Sequence, residues 1–143
     1  MELKQRTITR AVSISGVGLH TGQRVNLTFN PAPENHGYKF QRVDLEDKPI
    51  IEADVDLVVS TDRGTKLAKN GVEVGTVEHC LASLAGLSID NVLIELDGPE
   101  VPIMDGSALH FVKALHDAGI KEQLADREYF EISSNVYYSN KDS

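Results

Sequence analysis

The chain has 143 residues, of which 41% are hydrophobic and 25% charged, the proportions of a globular domain with enough apolar surface to bury a core; this excludes a disordered chain. A formal net charge of −8 and a pI near 5.0 exclude nucleic acid as the principal partner, because binding phosphates requires a basic surface. The single cysteine, Cys80, excludes an internal disulfide, no stretch approaches membrane-spanning length, and Met1-Glu2-Leu3-Lys4-Gln5-Arg6 lacks the apolar run of a signal peptide, so a cytoplasmic protein is expected.

Period-two alternation predicts strands over Thr7 to Ile14, Val25 to Phe29 and Tyr38 to Val43. Between them, Gly16-Val17-Gly18-Leu19-His20-Thr21-Gly22 and Asn30-Pro31-Ala32-Pro33-Glu34-Asn35-His36-Gly37 are rich in residues that break regular structure. Both read as loops, the first tight and shaped by glycine. Leu45 to Lys69 carries no clear pattern. A short strand over Val72 to Val74 precedes a helix in which Val77, Cys80, Leu81, Leu84 and Ala85 recur at i, i+3, i+4, i+7 and i+8. Thr76 is its expected N-cap, and Gly86 marks its end. Asn91 to Leu96 reads as a strand with Val92, Ile94 and Leu96 on one face, and Asp97-Gly98-Pro99 turns the chain. A second helix from Ser107 to Ala118 places Ala108, Phe111, Val112 and Leu115 on one face and stops at Gly119, with Ser107 or Asp105 capping its first N–H groups. Tyr129 to Tyr138 reads as a last strand. The sum is an α+β fold, a mainly antiparallel sheet with two amphipathic helices packed on one face.

Chemistry concentrates at Glu78 and His79. At about 100° per residue His79 falls nearly opposite Val77 and Glu78 falls on the flank, so the periodicity draws neither into the core. In the first turn the helix macrodipole favours a carboxylate and disfavours an imidazolium, which leaves an imidazole lone pair open to a metal. A solvated surface histidine is the alternative. The helix offers one ligand at most, because residues 82 and 83 are Ala and Ser and do not complete a His-Glu-x-x-His motif. Catalytic zinc takes three protein ligands and an open position, so the others must come from elsewhere. His36, His110 and His116 read as turn or solvated residues. His20 stands among Gly16, Gly18 and Gly22, whose open backbone admits a ligand, although a plain hairpin connection explains them too. Gly16-x-Gly18 lacks the third glycine of a dinucleotide fingerprint. Cys80 lies on the apolar stripe and reads as an inert core residue.

Taken together, Gly16-Val17-Gly18-Leu19-His20-Thr21-Gly22, Thr76-Val77-Glu78-His79, Gly86-Leu87-Ser88-Ile89-Asp90-Asn91 and Pro102-Ile103-Met104-Asp105-Gly106-Ser107-Ala108 closely resemble the UDP-3-O-acyl-N-acetylglucosamine deacetylases. These are zinc amidases of lipid A biosynthesis. The resemblance runs from Lys4 to about Phe130 and implies two domains of related, ribosomal-protein-S5-like α+β topology with the active site between them. Residues 1–127 correspond to the N-terminal domain, and 128–143 to a linker and the opening strand of a second domain. It implies that His79 is a zinc ligand, that Glu78 is the general base taking a proton from zinc-bound water, and that His20 and the Asp62-Arg63-Gly64-Thr65 backbone, Thr65 included, face a UDP-sugar lipid substrate. In the family the remaining ligands lie in a His-x-x-x-Asp motif of the second domain, together with the acid histidine. No His-x-x-x-Asp occurs among these 143 residues. The chain alone is therefore expected to be inactive and to hold little zinc; self-association through an apolar surface that the second domain would cover is an alternative role. A noncatalytic S5-like binding domain is the competing expectation.

Overall fold

The computed structural model describes residues 3–61 and 64–127. Ten strands and two helices follow one another as β1 (Lys4–Ile8), β2 (Val12–Val17), β3 (Arg24–Pro31), β4 (Tyr38–Arg42), β5 (Ile50–Glu52), β6 (Val58–Thr61), β7 (Gly64–Lys69), β8 (Val72–Gly75), α1 (Glu78–Gly86), β9 (Val92–Leu96), α2 (Leu109–Ala118) and β10 (Ile120–Asp126), with a 3-10 turn at Val55–Leu57. The main sheet has the order β2-β3-β9-β4-β5, antiparallel except where β4 runs parallel to β9. A three-stranded sheet has the order β6-β7-β8, and β1 pairs with β10.

Alternation decides which face of the main sheet is covered. Val25, Leu27 and Phe29 of β3 are buried, as are Val92, Ile94 and Leu96 of β9, Phe40 of β4 and Ile51 of β5. Their polar neighbours face the other way, where Ser13 pairs with Thr28 and Asn26 with Asp97. The apolar face meets Cys80 and Leu84 of α1 and Phe111 and Leu115 of α2 in one core. The expected α+β arrangement is therefore the observed one. β1 and β10 join this body through a buried amide knot: Asn91 Nδ2 donates to Gln5 Oε1 at 2.9 Å and to Gln123 Oε1 at 2.8 Å, and its Oδ1 accepts Gly37 N–H at 2.8 Å. Burying these groups is tolerable because each finds a partner.

Several elements differ from their sequence patterns. Thr7 to Ile14 is two strands in different sheets, broken at Thr9-Arg10-Ala11, where Thr9 N–H donates to Gly119 O at 2.7 Å and the chain changes partner. Leu45 to Lys69 holds β5, β6, β7 and the 3-10 turn; β5 has three residues, too few to show a period, and β7 is half-buried along most of its length. β10 is absent from the pattern because the exposed Lys121, Glu122, Leu124 and Asp126 of this peripheral strand mix polar with apolar residues. Thr76 does not cap α1. The cap position is Val77, which offers no side-chain acceptor, while Thr76 takes a left-handed φ of 57° and turns its hydroxyl elsewhere. Ala85 is exposed and Ser83 is buried in its stead, its Oγ donating to Cys80 O at 2.6 Å. α2 begins at Leu109, whose N–H donates to Ser107 Oγ, and ends before Gly119 as expected. The strand read over Tyr129 to Tyr138 lies outside the described residues.

Candidate active site

Four stretches converge beside the N-terminus of α1. β8 ends at Gly75, Thr76 turns the chain, and Glu78 opens the helix, exposed, with His79 half-buried behind it. β7 enters alongside: Val77 N–H donates to Thr65 O at 3.4 Å, and a Cβ placed on Gly64 would lie 3.2 Å from Glu78 Oε2. The Glu78 carboxylate thus rests over the start of β7. The loop after β2 arrives from a third side with His20 exposed at its tip, and the Pro99–Ile103 segment runs between that loop and β8.

These stretches enclose a cavity of about 190 Å³, walled in part by His20, Thr21, Gly64, Lys66, Thr76 and Glu100. Neither Glu78 nor His79 is among its walls; Glu78 adjoins it through Gly64. His20 and Gly64 line the same cavity, and Gly64 lies against the Glu78 carboxylate. Asp62 and Arg63 of the same stretch lie outside the described residues. His36 is a turn residue whose Nδ1 lies 2.9 Å from Gly37 O, and His116 is exposed near the end of α2. His110 Nε2 comes to 3.7 Å from Asp105 Oδ2, a proximity that the separate readings of those residues did not anticipate. Burial pushes the Cys80 thiol up, so it is a core residue and no nucleophile.

Sequence reasoning missed Glu100. Its side chain is only 4% exposed, yet burial, which by itself raises a carboxyl pKa, is outweighed by hydrogen bonds from the Thr76 hydroxyl and from the His20 and Thr21 amides, so the group is held below the usual carboxylate range. The only available signal was a carboxylate set against Val101 and Pro102, and a turn at Asp97-Gly98-Pro99 accounts for it equally well.

The family model described as UDP-3-O-acyl N-acetylglycosamine deacetylase (LpxC) matches residues 5–143. The chain belongs to this family. It is 51% identical over 139 residues to a bifunctional enzyme LpxC/FabZ of Bacteroides thetaiotaomicron, covering 97% of this chain and 30% of the relative. It is 52% identical over 132 residues to a UDP-3-O-acyl-N-acetylglucosamine deacetylase of Myxococcus xanthus, covering 92% and 42%, and 48% identical over 134 residues to one of a Psychrobacter species, covering 94% and 45%. The chain thus spans less than half the length of these relatives.

For a member of the deacetylase family the donor set can be tested against zinc. Among the described residues no group of three or more His, Cys, Asp or Glu side chains can hold a metal ion. All five histidines of the chain are described, so His79 is left as a single imidazole beside a carboxylate. The arrangement fits one side of a zinc site rather than a whole one. Among the described residues no helix is long and apolar enough to cross a membrane.

Proposed function

We propose that this chain forms the N-terminal part of a zinc-dependent deacetylase that removes acetate from the 2-N-acetyl group of UDP-3-O-acyl-N-acetylglucosamine, a cytoplasmic step of lipid A synthesis. The observation that carries this reading is the placement of Glu78 next to His79 in the first turn of α1, with the carboxylate exposed over Gly64, a residue that lines a cavity. A domain that served only to bind a partner has no need of that pair.

His79 is the ligand this chain gives to zinc, which when bound polarises the amide carbonyl and acidifies water. Glu78 accepts the proton of the attacking water as the C–O bond forms. The C–N bond then breaks to give acetate and a free 2-amino sugar. His20, exposed at the tip of its loop, contacts the substrate, and the Thr65 backbone lines the approach. The other zinc ligands and the proton for the departing amine come from the part of the relatives' length that this chain does not span. Residues 1–127 act as the N-terminal domain and 128–143 lead into the second.

Two variants of the full-length protein test the roles. His79→Ala should lose zinc and activity together, whereas Glu78→Ala should keep the metal and lose rate. Activity that survives both changes overturns the mechanism. The 143-residue chain alone should release no acetate and purify with little zinc; stoichiometric zinc in metal analysis would refute the half-site.

A further inference from the structure

Glu100 and Arg42 are the buried charged side chains among the described residues. Arg42 has Asp44 as its counter-ion, at 2.9 Å. Glu100 is satisfied differently, because the hydrogen bonds it accepts come from neutral donors on two separate stretches. His20 N–H donates to both carboxylate oxygens, at 3.1 and 3.0 Å, and Thr21 N–H donates to Oε1 at 3.1 Å. From the other side the Thr76 hydroxyl donates to Oε2 at 2.8 Å. A carboxylate is costly to bury, and donors aimed at both of its oxygens are what make the burial tolerable.

The backbone around Glu100 links the same two stretches. Gly75 N–H donates to Pro99 O at 2.8 Å, Val101 N–H returns to Gly75 O at 3.0 Å, and Ile103 N–H donates to Val17 O at 2.9 Å. The His20 loop folds around the carboxylate so closely that a Cβ on Gly18 would stand 2.5 Å from Glu100 Oε1. Thr76 holds a left-handed φ of 57°, a conformation disfavoured for a β-branched residue, and its hydroxyl bond to Glu100 helps to hold it there. Two residues further on stands Glu78.

We propose that Glu100 is a positioning residue of the deacetylase reaction: its carboxylate clamps the His20 loop to the Thr76 turn and so fixes His20 relative to the turn that leads into Glu78. The proposal rests on the deacetylase reading above. Glutamine at this position has one acceptor oxygen in place of two: with that oxygen towards the loop its amide nitrogen can still donate to the Thr76 hydroxyl oxygen, but the His20 N–H loses one of its two acceptors and every remaining bond loses the carboxylate charge, so the clamp loosens with little change in volume.

The test uses the natural full-length protein. Glu100→Gln should lower kcat/KM for acetate release by about tenfold to a hundredfold, with zinc content unchanged. Leu115→Ala, a core substitution remote from the cavity, serves as a stability control and should stay within threefold of wild type when assayed below its melting transition. Thr76→Ala should lose rate, Thr76→Ser should recover much of that loss, and adding Thr76→Ala to Glu100→Gln should cost less than the two losses combined, because both cut one connection. By NMR, the His20 and Thr21 amide protons should shift together as the Glu100 carboxyl is protonated, a response absent from Glu100→Gln. A Glu100→Gln enzyme within twofold of wild type overturns the proposal, and so does an equal loss in Leu115→Ala. If the wild-type protein releases no acetate, the deacetylase reading falls and takes the catalytic role of Glu100 with it. Amide signals that ignore the carboxyl titration would show that the clamp itself is absent.

Discussion

A Cβ on Gly64 would stand 3.2 Å from Glu78 Oε2, and Gly64 holds a φ of 127°. The backbone angle favours glycine here, and a Cβ would also push the Glu78 carboxylate away by a few tenths of an ångström. Gly64→Ala should cost about 1–3 kcal/mol of stability from backbone strain. In the full-length protein it should also lower kcat by about tenfold or more, because a misplaced base loses its alignment. Zinc content should not change, since the substitution approaches Glu78 and leaves His79 alone. Thermal melting, metal analysis and steady-state kinetics check the three expectations separately, and a wild-type kcat would show that Glu78 has room to act from another position.

Asp44 gives a pH dependence of defined sign. Arg42 donates to both of its oxygens at 2.9 Å while also donating to Glu73 O, and this side-chain hydrogen bonding holds the Asp44 carboxyl below its ordinary value of 3.8. A folded-state pKa below the unfolded one stabilises the protein above the unfolded pKa, and the contribution is lost as pH falls through the folded pKa. Asp44→Asn should therefore be less stable than wild type by about 2 kcal/mol at pH 7. The gap should close as the pH falls below 3.8. Urea titrations at a series of pH values measure it; a gap independent of pH would mean that the ion pair is not its source.

The core predicts the largest loss. Phe29 of β3 and Phe111 of α2 are 0% and 1% exposed and meet edge to face, with ring centroids 6.4 Å apart at 85°. Phe111→Ala removes this contact and leaves a cavity between helix and sheet, which should cost about 3–5 kcal/mol. Leu109, two residues earlier on the same helix, is 54% exposed, and Leu109→Ala should stay within about 0.5 kcal/mol of wild type. Equal losses in chemical denaturation would contradict the orientation of α2.

The strands and helices that proved legible in the sequence are those with one face on the core. β3 and β9 alternate because their partner strands on both sides hold them flat against α1 and α2, so burial writes a period of two. β2 keeps that alternation and β1 keeps it as far as Thr7, and nothing at Thr9-Arg10-Ala11 signals that the hydrogen-bonding partner changes from β10 to β3. β10 was illegible because a strand paired on one side at the periphery has little burial to record. At the site, helical phase placed Glu78 and His79 off the apolar stripe, and Glu78 is exposed and His79 half-buried; the roles proposed for them rest on the family resemblance rather than on spacing. Glu100 was not legible, because its environment is made by donors 80, 79 and 24 residues away, and no local pattern encodes them. Thr76 shows the same limit: a capping residue by type, it is diverted by a distant carboxylate that accepts its hydroxyl.

β6 supports a last prediction, that the 143-residue chain alone self-associates. It is an outer strand of the β6-β7-β8 sheet, and Val58 and Val59 on it are 39% and 47% exposed, with Val55 just before it at 81%. An outer strand carrying exposed β-branched residues is a template for pairing with another chain, and a charge placed on it works against that pairing. Sedimentation of the chain should show a weight-average mass that rises with concentration. Val59→Lys should move the distribution towards monomer while leaving the melting temperature nearly unchanged, since that side chain is already half in solvent. A wild-type chain that sediments as a monomer at every concentration would rule out β6 as an association edge.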